Sequence, residues 1–305
     1  MDIFELKKLD NRFVFFIMLA IFLGSRNSLN LRKEVYAVLK RFFSAVIIAV
    51  FMFSAQIVAH ADMDVSSVNW DSVPHFSNRS DLASYIEDGR RKGQTEFYFV
   101  LTNVVINNKE EYDRFFREEF VGGYVSAPRI DRGVVYGTGR LAYKIYREYP
   151  GMLVANAYLS RNKEQAWKDL TKEERDLYSI AVGIVDEANK RNSEVEKARY
   201  IHDEICRRVH YKNENERNTT ALGLIDGYVQ CRGYADAFYM LGRMCGLNVR
   251  KINGIRDGSA HMWNWITFKD GKSYFVDVGY RYFVKTKAQM EKNYWCKWDV
   301  VPNLQ

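Results

Sequence analysis

The chain has 305 residues, of which 47% are hydrophobic and 15% aromatic, so it is long and apolar enough to bury a core in one or two domains. This composition excludes a disordered chain. The formal net charge of +7 does not indicate a nucleic-acid-binding protein, because residues 1–61 hold eight Lys and Arg against four Asp and Glu, and the remainder carries only +3.

Residues 1–61 are predicted to be a targeting segment. A basic pair precedes an apolar stretch over residues 42–59, and the stretch ends in Ala59-His-Ala61, a small-x-small pattern typical of signal-peptide cleavage. We expect cleavage after Ala61 and export to the cell envelope or the medium. The alternative is an uncleaved membrane anchor formed by the same stretch. In either case the membrane is contacted only through this segment.

Residues 62–165 are predicted to form a small α/β lead-in domain. The patterns indicate a helix, a strand and a second helix over residues 81–91, 96–106 and 109–120. Residues 139–159 favour one long strand, or two strands broken at Pro150-Gly151.

Two amphipathic helices open the predicted catalytic domain, residues 166–305. Each begins at a capping-box pair, Thr171 with Glu174 and Ser193 with Glu196. The helical period predicts that both helices bury an apolar stripe, made of Leu177, Ala181, Ile184, Val185 and Ala188 on the first and of Ala198, Ile201, Ile205 and Val209 on the second.

Cys231 is predicted to lie at or just before the start of a third helix. Apolar residues follow it at helical spacing, and the pattern ends at Gly246. Unpaired amides and the positive end of the helix dipole favour a thiolate there, and the same amides are suited to binding an oxyanion. The alternative is a small buried residue that caps a core helix.

Three strands are predicted downstream, over residues 249–255, 261–268 and 273–278, and the last two form a hairpin. Its register decides whether His261 and Asp277 meet. A two-residue loop at Asp270-Gly271 places them on opposite faces, whereas a three-residue loop over residues 269–271, with a left-handed Gly271, makes them diagonal neighbours on one face. The second register permits hydrogen bonding.

Three ordered motifs, Gln230-Cys231 with Gly233-Tyr-Ala235, His261-Met-Trp-Asn264 and Tyr274-Phe-Val-Asp277, resemble the core of the transglutaminase-like superfamily. The resemblance spans about residues 170–285. It implies an α+β fold with a papain-like core, in which a helical part carrying the nucleophilic cysteine packs on an antiparallel sheet.

By that resemblance Cys231 is the nucleophile, His261 the general base and acid, and Asp277 the group that orients the imidazole. Arg232 stands where animal transglutaminases carry tryptophan, and Gly279 stands where threonine often follows the aspartate. These two departures argue against a calcium-dependent enzyme of the animal type.

The chemistry expected of this set is acyl transfer through a thioester on amide bonds of proteins or peptides, including those of the cell envelope. Hydrolysis by water is favoured over cross-linking to an amine. Oxyanion-binding or supporting roles are assigned to Gln230, Tyr228, Trp263 and Asn264, although aromatic packing is the favoured role of Trp263. The alternative function is a non-catalytic envelope module that retains the fold.

The remaining cysteines admit more than one pairing. One disulfide between Cys206 and Cys245 would leave Cys231 free, and two bridges would remove the nucleophile. No cofactor, metal or nucleic-acid partner is expected, since the corresponding motifs are absent from the sequence. The sequence does not determine the oligomeric state.

Overall fold

Two large β-sheets, a two-stranded sheet and a set of helices position the residues of interest in this computed structural model, which describes residues 63–122, 129–212 and 216–305. The predicted targeting segment lies outside the described residues. Within those ranges, no helix has both the length and the apolar character needed to cross a bilayer.

The helices are α1 (Arg79–Arg91), α2 (Lys109–Gly122), α3 (Pro150–Leu159), α4 (Lys163–Lys168), α5 (Lys172–Asn189), α6 (Glu194–Arg208), α7 (Gly223–Asp226), α8 (Cys231–Met244) and α9 (Lys287–Met290). The strands are β1 (His75–Phe76), β2 (Glu96–Leu101), β3 (Arg129–Val135), β4 (Arg140–Arg147), β5 (His210–Tyr211), β6 (Tyr228–Val229), β7 (Asn248–Arg256), β8 (Ser259–Thr267), β9 (Ser273–Asp277), β10 (Tyr282–Lys285) and β11 (Tyr294–Trp295).

The predicted mixture of helices and strands in the lead-in segment is confirmed. Strands β1, β2, β4 and β3 form a four-stranded sheet in that order, with β1 parallel to β2 and the other pairs antiparallel. Phe97, Phe99 and Leu101 alternate inward along β2 and are buried, as the period of two requires. Helices α1 and α2 lie at the predicted positions.

The strand prediction for residues 139–159 is wrong beyond Arg147. Residues from Pro150 onward form helix α3, because proline at the first helical position has a preset φ and needs no amide partner. Met152, Val154 and Ala155 are all fully buried on different sides of this short helix. Burial all round removes the polar stripe that distinguishes a helix from a strand in sequence.

Both capping-box predictions are confirmed. The Thr171 hydroxyl accepts from the Glu174 amide and the Ser193 hydroxyl from the Glu196 amide, and each glutamate side chain accepts in return from its capping residue. The predicted apolar stripes of α5 and α6 are buried. These helices pack on α8 and hold it in place.

Strands β10, β9, β8, β7 and β11 form a five-stranded antiparallel sheet in that order. One face packs on α8 through residues such as Val249, Ile266 and Val276. The other face contributes Trp263 and Trp265 to a cluster that also holds side chains of the lead-in segment. A domain boundary at residue 165 stays a prediction.

Candidate active site

Helix α8 begins at Cys231, as predicted. The preceding residue, Gln230, is extended, with φ −94° and ψ −179°, and its side chain makes no capping hydrogen bond. Its amide donates to the Asn218 carbonyl at 2.7 Å, which fixes the chain entering the helix. No side chain therefore caps the amides of the first turn, at the end of the helix where the sulfur lies.

Close packing at this helix start requires glycine at position 233. A Cβ atom there would lie 2.5 Å from the Asn218 carbonyl oxygen and 3.0 Å from that of Thr220, distances that side chains do not adopt. The glycine of the Gly233-Tyr-Ala235 motif thus lets the loop before the helix approach the helix backbone.

The hairpin adopts the register that brings His261 and Asp277 together. Strands β8 and β9 pair Asn264 with Val276 and Thr267 with Ser273, the register of a three-residue loop, and Gly271 has φ +81°. His261 and Asp277 accordingly meet, with His261 Nε2 2.6 Å from Asp277 Oδ2. The second carboxylate oxygen accepts from the Tyr280 amide at 3.3 Å.

The Cys231 thiol and the His261 imidazole lie close enough to shift each other's pKa. Because Nε2 faces Asp277, Nδ1 is the ring nitrogen left for the sulfur. Burial alone would raise the pKa of Cys231, but the bond to His261, its charge, the Met262 amide and Arg232 lower that pKa below its ordinary value. Burial disfavours the imidazolium, yet bonding to Asp277 and Cys231 raises the pKa of His261 to about 9.

These two shifts favour a thiolate–imidazolium pair at neutral pH. A lowered cysteine pKa favours the ionised sulfur, and a raised histidine pKa favours the protonated ring, so each charge stabilises the other. Asp277 is 2% exposed and its carboxylate bonds to the ring, while Cys231 is a half-buried residue.

We expect iodoacetamide to label Cys231 near neutral pH much faster than it labels a free model thiol, because the thiolate is the reactive form. His261→Ala removes the main contributions that lower the thiol pKa and leaves burial, which raises it. The rising limb of the rate-versus-pH curve should move to higher pH, with a loss of about tenfold or more near neutrality. Mass spectrometry of the Cys231 peptide gives the rate.

The control for this labelling experiment is His75→Ala, an exposed histidine in β1. It should leave the curve unchanged. A rising limb that stays in place in His261→Ala would contradict the thiol–imidazole pairing.

Aromatic rings surround the imidazole. The Trp263 ring stacks on it with centroids 5.8 Å apart at 22°, and Tyr280 meets it edge-on at 5.4 Å. Trp263 is 1% exposed, so it lies behind the imidazole and packs in the core. Tyr280 is 47% exposed and forms part of the open side of the site.

The structure separates the other predicted supporting residues. Asn264 is fully buried, and its amide donates to the carbonyls of Ala235 at 3.0 Å and Arg250 at 3.2 Å. It joins the sheet to α8 rather than facing the sulfur, because β8 alternates and His261 lies on the opposite face. Tyr228 is 41% exposed and its carbonyl accepts from the Asn218 side chain.

Sequence reasoning missed two groups at the site. The Met262 amide helps to lower the pKa of the Cys231 thiol, and no side-chain pattern indicates a backbone donor. The Tyr294 hydroxyl donates to Asp277 Oδ2 at 2.8 Å. In the tail, Tyr294 and Cys296 are buried and Trp295 is exposed, so alternation was the available signal for a strand. The tail docks on the core through β11, which pairs with β7.

All four cysteines are free thiols, so neither the Cys206–Cys245 disulfide nor a bridge through Cys231 is formed. The Cys206 sulfur lies against the Val278 carbonyl at 3.6 Å and interacts with Tyr234, in the first turn of α8. Cys245 follows Tyr234 by eleven residues, roughly 16 Å along the helix, which is too far for a bridge. The described residues contain no group of His, Cys, Asp and Glu side chains arranged to hold a metal ion.

The cysteine helix packed on an antiparallel sheet defines an α+β fold of the transglutaminase-like type. Residues 180–278 match the family model of the transglutaminase-like superfamily. The match covers under half of the chain and includes Cys231, His261 and Asp277. No curated protein matches the sequence.

Solved structures resemble the chain at low identity. A crystal structure of a TGase is 13% identical over 68% of this chain and 58% of its own, with a TM-score of 0.32. The periplasmic domain of TgpA from Pseudomonas aeruginosa, bound to ethylmercury, is 15% identical over 48% of this chain and 58% of its own, with a TM-score of 0.30. The chain thus spans 58% of the length of each.

Proposed function

We propose that the protein is a cysteine hydrolase that cleaves amide bonds of proteins or peptides through a thioester on Cys231. The observation that carries this proposal is the placement of His261: its Nε2 lies 2.6 Å from Asp277 Oδ2, and both Asp277 and the Cys231 thiol raise its pKa. One imidazole so placed serves the sulfur as a base and the leaving group as an acid.

In the acylation step the Cys231 thiolate attacks the carbonyl carbon of the scissile amide, and the carbonyl oxygen becomes an oxyanion. The uncapped amides at the start of α8 are the donors for that oxyanion. His261 then gives its proton to the departing amine as the C–N bond breaks, which leaves a thioester and a neutral imidazole.

In the deacylation step His261 takes a proton from a water molecule, whose oxygen attacks the thioester. The C–S bond breaks, the carboxylic acid product leaves, and the thiolate–imidazolium pair is restored. Because acylation needs the imidazolium, turnover should fall as the pH rises through about 9, the raised pKa of His261. It should also fall at acid pH, where Cys231 becomes a thiol.

Water is favoured over an amine as the second reactant. A cross-linking enzyme must shield its thioester from water, and Trp263 and Trp265 are the large aromatic side chains of the strand that carries His261. Both are 1% exposed and packed in the core, so neither side chain covers the sulfur from the solvent side. This burial supports hydrolysis.

Export is part of the same proposal and rests on the sequence of residues 1–61. The apolar stretch and the Ala59-His-Ala61 site favour secretion or attachment to the cell envelope, where the substrate would be a protein or peptide.

Incubation with a glutamine-rich protein and a fluorescent primary amine tests whether the thioester reacts with water or with the amine. We expect new protein N-termini or released ammonia, and no more than about one amine incorporated per ten hydrolytic events, because an uncovered thioester meets water first. Mass spectrometry counts both products, and Cys231→Ala is the blank. Dominant amine incorporation would contradict the hydrolase assignment.

If neither product forms and Cys231 labels no faster than a model thiol, the alternative of a non-catalytic module gains instead. That outcome requires both readings, since a reactive thiol without turnover indicates only an unsuitable substrate.

A further inference from the structure

Tyr294 reaches the candidate active site from outside the segment that matches the family model. Its hydroxyl donates to Asp277 Oδ2 at 2.8 Å, and the same oxygen lies 2.6 Å from His261 Nε2. Tyr294 is 4% exposed and Asp277 is 2% exposed, so both groups are shielded from water. One carboxylate oxygen therefore serves two buried donors.

The Tyr294 ring is held independently of its hydroxyl. Strand β11 pairs with β7, with Tyr294 opposite Arg256, and the ring packs edge-on against Trp263 at 5.1 Å and 77°. The Arg256 guanidinium lies 5.3 Å from the ring centroid. Substitution by phenylalanine therefore removes the hydrogen bond and keeps the packing.

Glycine at position 254 permits this approach of the tail. A Cβ atom there would lie 2.2 Å from the Trp263 ring and 2.3 Å from the Trp295 carbonyl oxygen. Strand β7 thus leaves room for β11 beside the tryptophan on which His261 stacks. The tail is therefore a strand of the sheet that carries the site, and it contributes a side chain to that site.

We propose that Tyr294 is a positioning residue that fixes the Asp277 carboxylate and weakens its hold on the His261 imidazolium. This inference rests on the proposed function and deepens it. A carboxylate oxygen that accepts from a phenol has less electron density for its second donor, so the imidazolium is less strongly stabilised and gives up its proton more readily.

Proton transfer to the leaving amine is the step that benefits. His261 must be protonated before acylation and must release the proton during it, and its pKa is already raised to about 9. Without the phenol, the ring would hold its proton more tightly and the carboxylate could rotate. Both changes slow turnover.

NMR titration of His261 in Tyr294→Phe is the direct test. The chain has five histidines, and loss of one signal in His261→Ala assigns the resonance. The titration midpoint of His261 should move up by about half a pH unit, and hydrolysis should slow by about three- to tenfold. Circular dichroism establishes that the variant is folded during the titration.

Tyr282→Phe is the matched control. Its ring centroid lies 6.3 Å from that of Tyr294, and the same hydroxyl is removed from a half-buried tyrosine of the neighbouring strand β10. It should leave the midpoint of His261 unchanged. A purely structural role of the hydroxyl would lower thermal stability without moving that midpoint.

The Tyr294→Phe substitution in an Asp277→Asn variant tests whether Tyr294 affects the His261 titration midpoint through the Asp277 carboxylate. If Tyr294 acts through the carboxylate, Tyr294→Phe should not move the His261 midpoint in Asp277→Asn, and the two changes should be strongly non-additive. An unmoved midpoint in the Tyr294→Phe single variant overturns the inference. Absence of hydrolysis by the wild type, with the midpoint moving as expected, would defeat the proposed function alone.

Discussion

Alanine in place of Cys231 is expected to abolish amide hydrolysis, with a loss of at least about 10⁴-fold in kcat. In the proposed mechanism the sulfur forms the covalent bond to the acyl group, and neither His261, its proton partner, nor Asp277, which bonds to the ring, can replace it. Removal of the nucleophile leaves only the residual effect of binding and of the oxyanion donors.

The fold should survive this substitution. Cys231 is the first residue of α8, a position where alanine is well tolerated. The first helical hydrogen bond also does not involve its side chain, because the Tyr234 amide donates to the Gln230 carbonyl. Thermal unfolding followed by circular dichroism should give a midpoint close to that of the wild type. The activity loss is then attributable to chemistry alone.

Cys206→Ala provides the matched thiol control. Cys206 is also partly exposed, but burial raises the pKa of its thiol, and its sulfur lies against a carbonyl of Val278. Hydrolysis should persist in Cys206→Ala, and iodoacetamide should still inactivate that variant. Retention of activity in Cys231→Ala would move the nucleophile elsewhere and end the proposed mechanism.

The hairpin shows how far the sequence carries. Asp270-Gly271 identifies a turn but not its length, and the two possible lengths place His261 on opposite faces of the sheet. The proposed pairing of His261 with Asp277 requires the three-residue loop, and the structure has that register. Local patterns therefore narrowed the hairpin to two registers, and the structure has the one that joins His261 to Asp277.

Tyr294 shows where sequence reasoning stops. Its contact with Asp277 depends on β11 crossing to the far edge of the sheet and pairing with β7, and no local pattern specifies such a long-range pairing. A different reason explains why helix α3 was not predicted. Its residues are apolar on all sides, and only Pro150 indicated the start of a helix.

Asp236 shows the same limit within the cysteine helix. It interrupts an apolar stretch of α8, and it is 1% exposed. One carboxylate oxygen accepts from the Lys251 ammonium at 2.9 Å, and the other accepts from the amides of Gly151 and Ala221, both at 3.0 Å. The carboxylate thus joins α8 to the sheet, to α3 and to the loop before α7.

We expect Asp236→Asn to lower the free energy of unfolding by about 3–5 kcal/mol, one of the largest effects of any single change in the described part of the chain. The neutral amide leaves the Lys251 ammonium buried without its counter-charge, since Lys251 is 8% exposed. It also presents an NH₂ group where the carboxylate accepted hydrogen bonds, so a backbone amide loses its acceptor. Urea denaturation followed by circular dichroism measures the change.

Asp176→Asn is the control with the same chemical change. Asp176 pairs with Lys172 on the surface of α5 at 2.9 Å, with side chains 50% and 84% exposed, so its loss should cost under about 1 kcal/mol. Lys251→Met combined with Asp236→Asn should recover part of the lost stability, because the unpaired charge is then gone. Equal denaturation midpoints for Asp236→Asn and Asp176→Asn would show that the buried carboxylate does not hold the cysteine helix in place.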